Sequence, residues 1–135
     1  LARKDVAASL RPGTHAATFG GNPIAARAGI ATLETIAHDQ LLAHTQRLEQ
    51  VFRKRLDTLA KELEIIRDVR VQGVMIGVEL SIDGAPIVQK CLARRLLVNC
   101  THGVVIRLLP AMNLSVEQAE EGCEILASVL RECAG

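Results

Sequence analysis

The residues of this chain best placed to do chemistry lie in one short stretch, 13–23. It sets Thr14, Thr18, the adjacent pair Gly20-Gly21, Asn22 and Pro23 directly ahead of an alanine-rich run. Asn22 suits a helix N-cap and Pro23 the first helical position. Glycines let backbone N–H groups approach a ligand closely, and a helix N-terminus offers free donors and the positive end of a dipole. A phosphate is the natural guest, with the Thr14 and Thr18 hydroxyls donating to its oxygens beside the backbone of Gly20 and Gly21. The same residues also read as a plain glycine-rich turn capped by its threonines, because the stretch is not a GxxxxGK[ST] loop. His15 either lines a pocket there or is an ordinary loop histidine.

Arg107, in Val104-Val105-Ile106-Arg107-Leu108-Leu109-Pro110, is the second candidate. A guanidinium in an apolar strand needs a partner if it is buried, and its fork suits a carboxylate held by two bonds. That carboxylate is either Glu79, itself in an apolar strand pattern, or one belonging to a substrate. Asn99, Thr101 and His102 form a polar cluster between strand patterns. His102 could act as a base, but local turn bonds are the simpler role. Ser115 reads as a helix cap. Cys91, Cys100, Cys123 and Cys133 contain no CxxC pair and mostly fall in apolar patterns, as buried reduced thiols of a cytosolic protein would. No metal-ligand spacing appears, so no metal site is expected.

The periodicity indicates what must hold these residues. Residues 23–37 read as a helix that is apolar on most sides and so needs covering by another domain or subunit. Residues 40–63 form a long amphipathic helix, with Leu41, Thr45, Leu48, Phe52, Leu56, Leu59 and Leu63 on one stripe. Arg47, Glu49, Arg53, Lys54, Asp57 and Lys61 make a solvated opposite face. The period then shortens. Strands are predicted at 67–71 and 74–80 around Gln72-Gly73, and at 96–100 and 104–109 around 101–103. A helix between them opens at Pro86 and runs to about Arg95. Ser115 with Gln118 forms a capping box for a last helix, whose buried stripe is Val116, Ala119, Cys123, Leu126, Leu130 and Cys133. The fold class is α+β, with a small, mostly antiparallel sheet covered by helices on one face. One helical crossover leaves room for a parallel pair.

Composition narrows the function classes. The 135 residues are 49% hydrophobic, enough for a core, and carry a net charge of +1 with no basic stripe for nucleic acid. Phe19 and Phe52 are the only aromatic residues, so there is no stacking platform for single strands. No apolar run approaches the roughly 18 residues of a membrane span. No secretory signal is visible. Leu1 is not Met, and the opening residues read like the middle of something longer, or like a processed N-terminus.

The stretch from Thr14 to Pro23 resembles the glycine-loop signature of the class III pyridoxal-phosphate-dependent aminotransferases. Three further stretches agree with that family in order and spacing: Val69 to Leu80, Leu96 to Thr101, and Ile106 to Leu114. Val98-Asn99-Cys100-Thr101 and Arg107-Leu108-Leu109-Pro110-Ala111-Met112-Asn113 point to its acetylornithine branch. The resemblance covers nearly the whole chain.

It implies a fold-type I enzyme, in which a large domain carries the lysine that binds the cofactor and a small C-terminal domain closes over it. Residues 1–37 would be the end of the large domain with its glycine loop and interface helix, and residues 38–135 the small domain. The resemblance implies pyridoxal 5'-phosphate as cofactor and a homodimer in which Thr18, presented by Gly20 and Gly21, reaches the cofactor phosphate of the neighbouring subunit. It places Arg107 near the substrate, where related enzymes pair this arginine with a large-domain glutamate. Amino acids and 2-oxo acids would be the substrates, namely N-acetylornithine and 2-oxoglutarate in arginine biosynthesis in the cytoplasm. Succinylornithine, succinyl-diaminopimelate and ornithine are alternatives.

The family's catalytic lysine would lie upstream of Leu1, and Lys4 is too close to the loop to serve. Transamination by this chain alone is therefore not expected. The rival expectation is a stand-alone dimerisation or regulatory module without catalysis. Val71 and Arg95 stand where the family has glycine, and Ala17 where it has serine. Arg95 would then end its helix with backbone strain or with a different turn.

Overall fold

The computed structural model describes residues 3–9, 11, 13 and 16–135. Thr14 and His15 lie outside the described residues. The chain divides into two compact units, Leu1–His38 and Asp39–Gly135.

The first unit holds a four-residue helix, α1 (Lys4–Ala7), and the helix α2 (Pro23–His38). The Asn22 side chain caps α2. Its Oδ1 accepts from the Ala25 amide at 2.9 Å, while its Nδ2 donates to the Phe19 carbonyl at 2.6 Å and ties the preceding turn to the cap. No residue of α2 is buried, and Ile24 and Leu33 are 83% and 69% exposed.

The second unit is a two-layer α+β fold. Helix α3 (Leu41–Glu62) buries Thr45, Leu48, Phe52, Leu56 and Leu59, spaced three or four residues apart. Strands β1 (Ile66–Gln72) and β2 (Met75–Leu80) form a hairpin through Gly73-Val74, one residue later than periodicity suggests. Gly73 has φ +58°, a left-handed conformation that glycine adopts without a Cβ penalty. Helix α4 (Ala85–Ala93) has Pro86 in its first turn. Strands β3 (Asn99–Thr101) and β4 (Val105–Leu108) are shorter than predicted. Thr101 thus belongs to a strand and not to the connecting turn. Helix α5 (Val116–Ala134) begins at Ser115 with both bonds of the capping box formed.

The sheet order is β1-β2-β4-β3, and every neighbouring pair is antiparallel. The crossover through α4 does return β3 parallel to β2, but β4 inserts between them, so the described sheet has no parallel neighbours. Alternation puts Val71, Ile76, Val78, Leu80, Ile106 and Leu108 on the helix-covered face. There they meet Leu48, Phe52 and Leu56 of α3, Ile87 and Cys91 of α4, and Cys123, Leu126 and Leu130 of α5 in one core. The opposite face of the sheet is open.

Two polar fasteners modify the predicted solvated face of α3. Glu49 accepts from the Gly73 amide at 2.7 Å, and Arg53 donates to the Val71 carbonyl at 2.6 Å. These side chains clamp the hairpin to the helix, because amide and carbonyl groups at a hairpin tip need partners wherever a neighbour keeps water off. Near its end α3 is tied to α5 by a fork–fork pair, in which Arg131 donates to Glu62 at 2.6 and 2.8 Å.

Arg95 has φ +65°. The Leu96 amide donates to the Cys91 carbonyl and the Arg95 amide to the Leu92 carbonyl, both at 2.9 Å. This is a Schellman ending with an arginine at the left-handed position. Of the two sequence alternatives, the glycine-type turn is kept and the strain is carried.

Candidate functional site

The loop before α2 is one candidate. Residues 18–21 form a turn, and Thr18, Gly20 and Gly21 are all exposed. Gly21 has φ +71° and nothing within 4 Å of the position of a Cβ. The Gly20 amide donates to the Ala17 carbonyl at 3.4 Å, closing the turn. Because Asn22 occupies the capping position, Thr18 has no part in capping, and its hydroxyl has no hydrogen-bond partner among the described residues. An exposed hydroxyl, an open glycine backbone and a helix N-terminus together fit a phosphate group. Thr18 is therefore a free donor and not the loop cap that the plainer sequence reading allows.

The open face of the sheet is the other candidate. Pairing places Arg70, Gly77, Arg107 and Asn99 in one row across β1, β2, β4 and β3. The two guanidinium-bearing residues thus stand two strands apart, roughly 9.5 Å between backbones, with glycine as the floor between them. A shallow depression of about 540 Å³ lies here, lined in part by Arg70, Gln72, Met75, Gly77 and Arg107.

Glu79 is the residue that periodicity offered to Arg107, and the structure gives it to Arg70. Arg70 Nη1 lies 2.9 Å from Glu79 and 2.6 Å from Asp68. Its hydrogen bond to Glu79, joined by the one to Asp68, pushes the Arg70 guanidinium above its ordinary pKa. Arg107 instead donates from Nε to Asn99 Oδ1 at 3.1 Å, and no carboxylate among the described residues pairs with it. It is also exposed, so the cost of burial that framed its sequence reading does not arise. Arg70 was missed from sequence, although it alternates in the same Val69-Arg70-Val71 pattern that marks β1.

The remaining candidates have local roles. His102 sits at φ +52° in the turn after β3 and is exposed. Ser115 is a cap. Cys91 and Cys123 are buried, and desolvation pushes both thiols up, Cys123 to about 11. None of the four lysines, Lys4, Lys54, Lys61 and Lys90, is buried. No group of His, Cys, Asp and Glu among the described residues is arranged to hold a metal. No helix among them is long and apolar enough to cross a membrane. The described residues thus present two candidates, the exposed turn ahead of α2 and the exposed guanidinium of Arg107.

The chain is similar to known aminotransferases along most of its length. The family model "Aminotransferase class-III" matches residues 1–130. The acetylornithine aminotransferase of Caldanaerobacter subterraneus is 37% identical over 133 residues, covering 98% of this chain and 34% of that protein. Ornithine aminotransferase 1 of Staphylococcus aureus is 37% identical over 90% of this chain and 30% of that protein. Among solved structures, ornithine delta-aminotransferase of Plasmodium falciparum superposes with a TM-score of 0.88 at 28% identity, covering 99% of this chain and 36% of that one. The chain spans about a third of the length of the curated relatives it matches.

Proposed function

Since this chain belongs to the class III aminotransferases, a pyridoxal-phosphate-dependent family, we propose that it is the part of such an enzyme that grips the cofactor phosphate and closes over the substrate. The reaction is the transfer of an amino group from N-acetylornithine to 2-oxoglutarate, as a step toward arginine in the cytoplasm. The observation that carries this reading is the likeness to an acetylornithine aminotransferase across 98% of the chain. Bound pyridoxal phosphate provides an electron sink for chemistry at the carbon bearing the amino group.

This chain's residues bind and orient. Thr18 donates its hydroxyl to the cofactor phosphate of the neighbouring subunit in a homodimer, and Gly20 and Gly21 keep the backbone low enough for it to reach. Arg107 holds a carboxylate of the substrate. Residues 1–37 form the end of the large domain and residues 38–135 the small domain. With no lysine set in a sequestered position, this stretch does not transaminate by itself. Ornithine is the second reading for the donor, because a relative named for ornithine is as similar at 37% as one named for acetylornithine.

The test is Thr18→Val in the full-length enzyme. Loss of a hydrogen bond to a charged group, about 1.5–3 kcal/mol, raises the cofactor dissociation constant roughly 10- to 150-fold. Unchanged affinity removes Thr18 from the phosphate site. Comparing acetylated with free ornithine as donor separates the two substrate readings.

A further inference from the structure

We infer that Asn99 is a positioning residue that turns the Arg107 guanidinium so that its two terminal nitrogens, Nη1 and Nη2, grip a substrate carboxylate end-on. The inference rests on the proposed role of Arg107 and extends it to a residue that this role leaves out.

A guanidinium can receive a carboxylate along two edges, through Nε with one Nη or through both Nη groups. Asn99 stands directly opposite Arg107 in the β3–β4 pairing, and its Oδ1 takes the Nε hydrogen at 3.1 Å. The first edge is thereby engaged. A guanidinium has no acceptor, so the carboxamide must face Arg107 with its oxygen. That leaves the Asn99 Nδ2 hydrogens on the other side of the amide as further donors. Asn99 and Arg107 are both exposed on the open face of the sheet.

Charge explains why an amide suits this position. Two carboxylates lie on the same face, and both are drawn to Arg70, leaving Arg107 with its positive charge uncompensated by any described residue. An aspartate at 99 would make the same bond to Nε but would also neutralise the charge intended for the guest. Asparagine fixes the direction of the fork and leaves its charge available.

The experiment compares Asn99→Asp, Asn99→Ala and Arg107→Ala in the full-length enzyme. The readouts are KM and kcat for 2-oxoglutarate and for the amino donor, together with the competitive inhibition constant of glutarate, a dicarboxylate that cannot react. Asn99→Asp is expected to raise KM for 2-oxoglutarate and the glutarate constant by tenfold or more, with a much smaller change in kcat and in the urea midpoint. Asn99→Ala, which loosens the fork but keeps its charge, is expected to fall between Asn99→Asp and the wild type. If Arg107→Ala weakens glutarate binding and neither Asn99 variant does, the inference is overturned and the role of Arg107 survives. If Arg107→Ala leaves glutarate binding unchanged, both fail. A fallen urea midpoint with unchanged glutarate binding means that the fork grips a carboxylate of the protein itself, which also overturns the assignment. Should Asn99→Asp fail to fold, Asn99→Ala and Asn99→Leu test the positioning role, because both remove the acceptor without adding charge.

Discussion

Replacing Arg95 with glycine should stabilise the protein. Arg95 holds φ +65° at the end of α4, where the Schellman bonds from Arg95 and Leu96 fix the backbone. A side chain in the left-handed region costs about 1–2 kcal/mol. Glycine removes that cost but adds about 0.4–1 kcal/mol of freedom to the unfolded chain. The net gain is about 1 kcal/mol. The arginine side chain is exposed and has no ion pair or hydrogen bond among the described residues, so nothing is lost with it. With a urea slope of about 1–3 kcal/mol/M, the midpoint should rise by roughly 0.3–1 M at constant slope. Arg95→Ala is the control, since it removes the same charge but keeps a Cβ, and it should stay within about 0.5 kcal/mol of wild type. The strain argument fails if Arg95→Gly lowers the midpoint, or if Arg95→Ala raises it equally.

Two further predictions concern the core. A Cβ on Gly84 would sit 2.5 Å from Cys100 Sγ and 3.0 Å from Ile106 Cδ1, so Gly84→Ala should cost about 1–3 kcal/mol in urea unfolding. Adding Cys100→Ala should recover part of that loss, and strictly additive effects would show that the clash is not its cause. Burial pushes the Cys123 thiol up from 9.0 to about 11, which leaves about a hundredfold less thiolate at pH 8. Iodoacetamide should then label Cys123 slowly in the native protein and readily in urea. Because the raised pKa favours the protonated thiol in the folded state, its contribution to stability is complete below pH 9 and is lost as pH rises toward 11. Fast native labelling at pH 8 would contradict the burial.

Local signals were legible in the sequence where a single element decides them. The Ser115–Gln118 box, the stripe of α3 and the cap at Asn22 depend on neighbours three or four residues away, and all three are as expected. At Arg95 the sequence left backbone strain and a different turn open, and the structure has the left-handed turn. Partners across elements were not legible. Alternation put Glu79 and Arg107 on the same face, but it could not show that Arg70 shares that face and sits nearer to Asp68 as well. Periodicity likewise assigned Glu49 and Arg53 to water, although the tip of a distant hairpin turns back onto them. Thr101 was read as part of a turn because three residues are too few for a period of two to register. The candidate site was thus found residue by residue, while its pairing came from the fold.

The sheet order has a consequence for how the chain is made. The β1–β2 hairpin is local, and α3 is already complete when it forms. The second edge of β2 must then wait for β4, which is 28 residues later counting from Leu80 to Leu108. At about 5–20 residues per second, that is roughly 1–6 s of synthesis during which the unpaired backbone of Met75–Leu80 can recruit another strand. The short strand β3 emerges first but has no place to dock until β4 arrives beside it. Capture by a nascent neighbour during this interval is the hazard built into placing the last-made strand inside the sheet, and slower elongation between residues 80 and 108 would lengthen it.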